Sequence, residues 1–132
     1  MLYQIDVMSR VPVYEQIIEQ TRRFILRGIL EPGDQIPSVR SLSAELSVNP
    51  NTIQKALAQL ERQGLVFSVP GKGTFVAGKA KVILAEQKRG ELEEIQRQLR
   101  ELIWAGVSRE ELLKMVNELF DNRWSETRED GK

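Results

Sequence analysis

The chain has 132 residues, 41% of them hydrophobic, with 19 basic and 19 acidic side chains, no histidine and no cysteine. That length suits one ordinary domain or one small domain with an appendage, and no apolar run approaches the ~20 residues of a membrane span. Without cysteine there is no disulfide framework, and losing histidine as well removes most metal-site and nucleophilic chemistry. The remaining carboxylates, lysines and hydroxyls form no recognisable catalytic constellation, so no enzyme, metal site or cofactor is expected. The N-terminus has no basic region followed by a long apolar one, hence no signal peptide, and the cytoplasm is the expected compartment.

In chain order, Leu2, Ile5 and Val7 can lay a short N-terminal segment against a core until Val11-Pro12 ends it. Tyr14, Ile17, Ile18, Thr21, Phe24 and Ile25 then keep helical spacing as far as Arg27-Gly28. This helix is read as scaffold. Glu31-Pro32-Gly33-Asp34 is turn chemistry, and Gln35-Ile36 is a brief strand that could pair with a later hairpin. Pro37 biases Ile36 toward extended backbone. Ser38 can cap the next helix, and Arg40 sits in its first turn, where the helix dipole disfavours a cation. A cation there fits a residue kept for a phosphate.

Val39, Leu42 and Leu46 fall at helical spacing, Ser47-Val48 break the pattern, and Asn49-Pro50 open a second helix. Asparagine is a strong N-cap, and proline suits the first helical position, where no amide hydrogen is needed. In this second helix Ile53, Ala56, Leu57 and Leu60 share one side. Asn51, Lys55, Ala58 and Arg62 lie opposite, flanked near the start by Thr52 and Gln54. Two helices joined by about three residues, the second polar on its outer side, make a helix-turn-helix. Asn and Gln can pair bidentately with adenine, whereas Thr and Lys suit phosphates or the thymine methyl. Leu65–Val69 and Thr74–Ala77 are short β-prone runs around Pro70-Gly71-Lys72-Gly73. Glycines at that tip let the backbone approach another surface and aim Lys72 at a phosphate or a groove edge. Together the elements read as a winged helix over residues 1–78.

After Gly78 the composition becomes charged and periodic. Leu92, Ile95, Leu99 and Leu102 form an a/d seam of about two heptads, with Gly90 predicting a kink or two helical pieces. Ser108-Arg109-Glu110-Glu111 is a capping box for a last helix with Leu112, Leu113, Val116, Leu119 and Phe120 on its apolar face. Beyond Trp124 the polar stretch SETREDGK is expected to fray. Two such helices cannot bury their apolar faces alone, so residues 79–132 are read as a two-helix dimerisation segment that uses Leu92, Ile95, Leu99, Leu102, Leu112, Val116, Leu119 and Phe120. The fold class expected is mainly α with a small β wing: an N-terminal winged helix-turn-helix and a C-terminal helical dimerisation segment.

From Val11 to about Gly78 the sequence resembles the GntR transcription regulators. The resemblance rests on PVYEQI, on EPGDQIPSVRSLSAELSVNPNTIQKALAQLERQGLV and on GKGTFV. Asn-Pro-Asn-Thr and the short C-terminal part look like the YtrA subfamily, although many family members carry arginine where this chain has Pro50 and Gln54. The resemblance implies DNA contacts from Arg40, from Asn49, Asn51, Thr52 and Gln54 at the start of the second helix, and from Gly71, Lys72 and Gly73 at the wing tip. Lys55 joins them from its place on the outer side. The implied function is a sequence-specific transcription regulator, a repressor, that binds a near-palindromic double-stranded operator as a homodimer. The about fifty residues after Gly78 are few for enclosing a ligand pocket, so a small effector of unknown identity would sit at the dimer interface near Trp104 or Phe120.

Net charge argues for a different class. Residues 1–78 hold 8 basic and 7 acidic side chains, and residues 79–132 hold 11 and 12. DNA binders are commonly basic, so the alternative is a winged-helix protein-interaction module that does not read DNA.

Overall fold

In the computed structural model residues 2–122 are described; Trp124 and the polar stretch after it lie outside them. Six helices and three strands follow in the order α1 (Val13–Leu26), β1 (Gln35–Ile36), α2 (Val39–Leu46), α3 (Pro50–Arg62), β2 (Val66–Val69), β3 (Gly73–Val76), α4 (Ala80–Arg89), α5 (Leu92–Trp104) and α6 (Arg109–Asp121). The strands form one antiparallel sheet ordered β1-β3-β2. This is a mainly helical winged helix, as the spacing predicts. Gln35-Ile36 pairs as expected, while the two hairpin strands are shifted by a residue at one or both ends, because the ladder starts where Val66 meets Val76 and closes where Val69 meets Gly73.

The first compact unit runs to Ala85. Its core takes Ile17, Ile18, Phe24 and Ile25 from α1, Leu42 from α2, and Ile53, Ala56, Leu57 and Leu60 from α3. Those positions recur every three or four residues, so one stripe of each helix faces inward. Ile36, Val66 and Val76 close the core from the sheet. Ala80 and Leu84 of α4 are also fully buried in it. The unit therefore extends past Gly78, where composition alone suggests an end.

The N-terminal segment is pinned along α1. Thr21 Oγ1 donates to the Ile17 carbonyl at 2.8 Å, so the buried Tyr3 hydroxyl is the donor in its 2.7 Å bond to Thr21. The Tyr3 and Phe24 rings meet edge to face at 5.1 Å. One turn apart on α1, Gln16 and Gln20 present their side-chain amides to the main chain of the segment. Gln20 bonds both the amide and the carbonyl of Gln4, and Gln16 does the same for Asp6. Two glutamine amides thus stand in for the rungs of a β-ladder.

The second unit begins at Glu86. The chain breaks its helix at Gly90 into α4 and α5, matching the two-piece expectation. Ser108 caps α6 by accepting from the Glu111 amide at 3.1 Å. No described residue from Glu86 onward is buried, and α5 and α6 have no extended packing against each other. Helices with such clear apolar stripes and no cover are unusual in an isolated chain.

Candidate nucleic-acid interface

The turn between α2 and α3 sets how α3 is presented. Ser47 ends α2 in left-handed backbone at φ 55°, the one non-glycine residue with positive φ among those described. Ser43 Oγ reaches across to the Val48 carbonyl at 2.6 Å and ties the turn to α2. Asn49 Oδ1 then accepts from the Asn51 amide at 2.8 Å, and Pro50 opens α3. The expected N-cap and N-terminal proline are both in place.

Beyond this turn the polar side of α3 is open. Asn51, Gln54 and Lys55 are exposed and Thr52 is half-buried. Asn49 is exposed too, but its Oδ1 is committed to the cap, which leaves its Nδ2 hydrogens outward. Lys55 leans to one edge of the helix: its Nζ lies 3.9 Å from the centre of the Tyr14 ring on α1. Arg62 is held by Gln59 on its own helix. The Tyr14 hydroxyl donates to Glu15 Oε1 at 3.2 Å, and that acceptor with its charge raises the phenol pKa. Spacing alone places Lys55 on the outer strip and does not reveal Tyr14 beneath it.

The wing tip is a tight turn. The Lys72 amide donates to the Val69 carbonyl at 2.9 Å, with Pro70 and Gly71 between them and Gly71 at φ 76°. Proline then glycine with positive φ at the two central positions is the type II pattern. Lys72 stands exposed between Gly71 and Gly73. Gln35 of β1 donates from Nε2 to the Lys72 carbonyl at 3.1 Å. Two residues before the turn, Ser68 donates to Glu61 of α3 at 2.7 Å, fastening the wing to that helix.

Val39, Gln54, Ala58, Glu61, Ser68 and Thr74 line one open cleft of about 410 Å³. The start of α2, the outer side of α3 and the wing therefore surround a common groove. Arg40, next to Val39, is exposed, and among the described residues neither Arg40 nor Lys72 has an ion-pair partner. Two unpaired cations thus flank a groove whose walls carry amides and hydroxyls. Overall neutrality conceals this arrangement, because Glu61 is the one acidic residue lining the groove among those described, and several other carboxylates pair in the tail, where Arg97 binds both Glu94 and Glu101. Among the described residues no cluster could hold a metal ion, and no helix is long and apolar enough to cross a membrane.

The eight residues expected to pair two chains all lie on α5 and α6. Leu92, Ile95, Leu102, Val116, Leu119 and Phe120 are exposed, Phe120 to 66%, while Leu99 and Leu112 are half-buried. Ile103, Trp104, Leu113 and Met115 are exposed as well.

Comparison with known proteins agrees with the geometry. The family described as "Bacterial regulatory proteins, gntR family" matches residues 13–76. The HTH-type transcriptional repressor YtrA of Bacillus subtilis (strain 168) is 42% identical over 122 residues, 89% of this chain and 92% of YtrA. The crystal structure of a transcriptional regulator from Oenococcus oeni superposes with a TM-score of 0.68 at 32% identity, covering 88% of this chain and 97% of that one. The crystal structure of AraR(DBD) in complex with operator ORX1 covers 56% of this chain and 92% of its own, at 37% identity and a TM-score of 0.51.

Proposed function

This chain belongs to the GntR family of bacterial regulatory proteins, and on that premise we propose that it is a cytoplasmic, homodimeric repressor that binds a near-palindromic double-stranded DNA operator. The observation that carries the reading is the groove shared by α2, α3 and the wing, with its uncommitted cations and amides. AraR, whose DNA-binding domain has the same fold, is a structure with its operator bound. In our reading α3 enters the major groove, where Asn51 and Gln54 meet base edges and Thr52, Asn49 and Lys55 meet the backbone. Arg40 and Lys72 take phosphates on either side, with Gly71 and Gly73 letting the wing tip close on the duplex. Residues 1–78 hold the DNA-binding elements, and the tail from residue 79 brings two copies together. Two copies offer two copies of α3 to half-sites about one helical turn apart or a multiple of it. Occupying an operator excludes polymerase, and YtrA is named a repressor.

The test is selection of genomic fragments by the purified protein, followed by footprinting and a salt titration. Each half-site offers Arg40, Lys55 and Lys72, so a dimer neutralises about six phosphates and should lose on the order of 10³-fold in affinity between 50 and 200 mM salt. Arg40→Ala and Lys72→Ala should weaken binding on every sequence, whereas Gln54→Ala should relax preference at one or two positions. Salt-independent retention of a protein and of no duplex would favour the interaction-module reading instead.

A further inference from the structure

Strand β1 is only two residues long, and what stops it is chemical. Gln35 lies opposite Phe75 and Ile36 opposite Thr74, so the next residue, Pro37, would fall opposite Gly73. Proline has no amide hydrogen with which to extend the ladder. The wing tip therefore projects beyond the last backbone rung on that edge of the sheet.

The Gln35 side chain fills the missing rung. It runs past Gly73 and donates from Nε2 to the carbonyl of Lys72 at 3.1 Å. Gly73 is what allows the approach: a Cβ there would lie 2.5 Å from Gln35 Nε2, and the residue also holds φ at 130°. The Lys72 amide is already bound to the Val69 carbonyl within the turn. Both main-chain polar groups of Lys72 are thus fixed, one by the hairpin and one by Gln35, while its ammonium stays free. A lysine whose backbone is locked at both ends loses less freedom when it meets a phosphate.

We propose that Gln35 is a positioning residue: a strut from β1 that sets the wing tip so that Lys72 is presented to the duplex. The assignment rests on the DNA-binding reading above. Gln35 itself need touch no DNA. Because β1 runs directly through Pro37-Ser38 into α2, the strut also ties the tip bearing Lys72 to the stretch that leads to Arg40. Two phosphate contacts far apart in sequence are coupled through one amide.

The experiment is a double-mutant cycle on the full chain, with a duplex recovered by the wild-type protein from genomic fragments as the probe. Gln35→Leu removes the donor at nearly constant size and should weaken binding about three- to tenfold, the effect of one ordinary hydrogen bond. In a Lys72→Ala background the same change should weaken binding markedly less, because the ammonium that the strut presents is gone. Hydrogen exchange on the free protein is the second readout. The amides of Lys72 and Gly73 should exchange faster in Gln35→Leu, while those of Ile53 and Leu60 in α3 stay as protected as in wild type. Should Gln35→Leu fail to fold, Gln35→Glu, of equal length and unable to donate once ionised, is read by exchange alone. Unchanged affinity, additive losses in the double variant, or unchanged exchange at Lys72 and Gly73 would each overturn the assignment. A wild-type protein that retains no duplex would sink the DNA-binding reading, and the exchange arm would still decide the strut.

Discussion

The ammonium of Lys55 rests over the face of Tyr14, 3.9 Å from the ring centre, and so joins the outer edge of α3 to α1. A cation over an aromatic face at a partly exposed site contributes about 0.5–1 kcal/mol. Lys55→Ala and Tyr14→Ala should therefore show a coupling of that size in a double-mutant cycle read by denaturant unfolding. Tyr14→Phe keeps the ring and should keep the coupling, although it loses the bond to Glu15. Strict additivity of the two alanine variants would show the contact to be energetically empty.

Asn49 caps α3 and, in the proposed reading, also meets the DNA backbone. Its Oδ1 caps α3 through the Asn51 amide, so Asn49→Ala should cost about 1 kcal/mol of stability. Serine is an equally good cap, and Asn49→Ser should unfold at the wild-type temperature. Both variants lose the outward Nδ2, and both should bind the operator more weakly. If Asn49→Ser binds like wild type, Asn49 is a cap and nothing more.

The uncovered stripe on α5 and α6 carries the dimer proposal. Ile95 and Leu102 lie seven residues apart on one side of α5, exposed to 48% and 42%. Replacing both by lysine should leave thermal unfolding of the winged unit unchanged, since neither contributes to its core. Sedimentation should nonetheless fall from dimer to monomer mass, and operator affinity with it. A wild-type protein that sediments as a monomer at micromolar concentration would end the dimer reading.

Tyr3 makes stability sensitive to alkali. Burial pushes its pKa from 10.0 up to about 12. The folded state then holds a proton that the unfolded chain releases. The stabilisation is fully present below pH 10 and is lost as pH rises from there toward 12, about 2–3 kcal/mol in all. Tyr3→Phe should remove this alkaline limb from a plot of unfolding free energy against pH. Near neutrality it should cost only about 1 kcal/mol, because Thr21 keeps its bond to the Ile17 carbonyl.

Much of the candidate interface is legible in the chain itself because it depends on neighbours in sequence. Ser38, Asn49 and Ser108 cap the helices they precede, since a cap acts across two or three residues. The buried set Ile53, Ala56, Leu57 and Leu60 follows from the 3.6-residue turn, and so does the polar strip opposite it. Pro70-Gly71-Lys72-Gly73 announces a turn by backbone preference alone.

What a long side chain meets across the fold is another matter. Periodicity assigns Lys55 to a face, but only the packing of α1 on α3 puts Tyr14 under it. The pair Gln35 and Lys72 is 37 residues apart, and it meets because β1 lies beside β3. Ala80 and Leu84 sit in a charged stretch whose composition resembles the tail, yet the core has room for them, and they fill it. Local order is set by short-range sterics and hydrogen bonds that the sequence determined by itself; contacts between distant residues were decided by tertiary structure, because only the whole chain's packing fixes which surfaces touch.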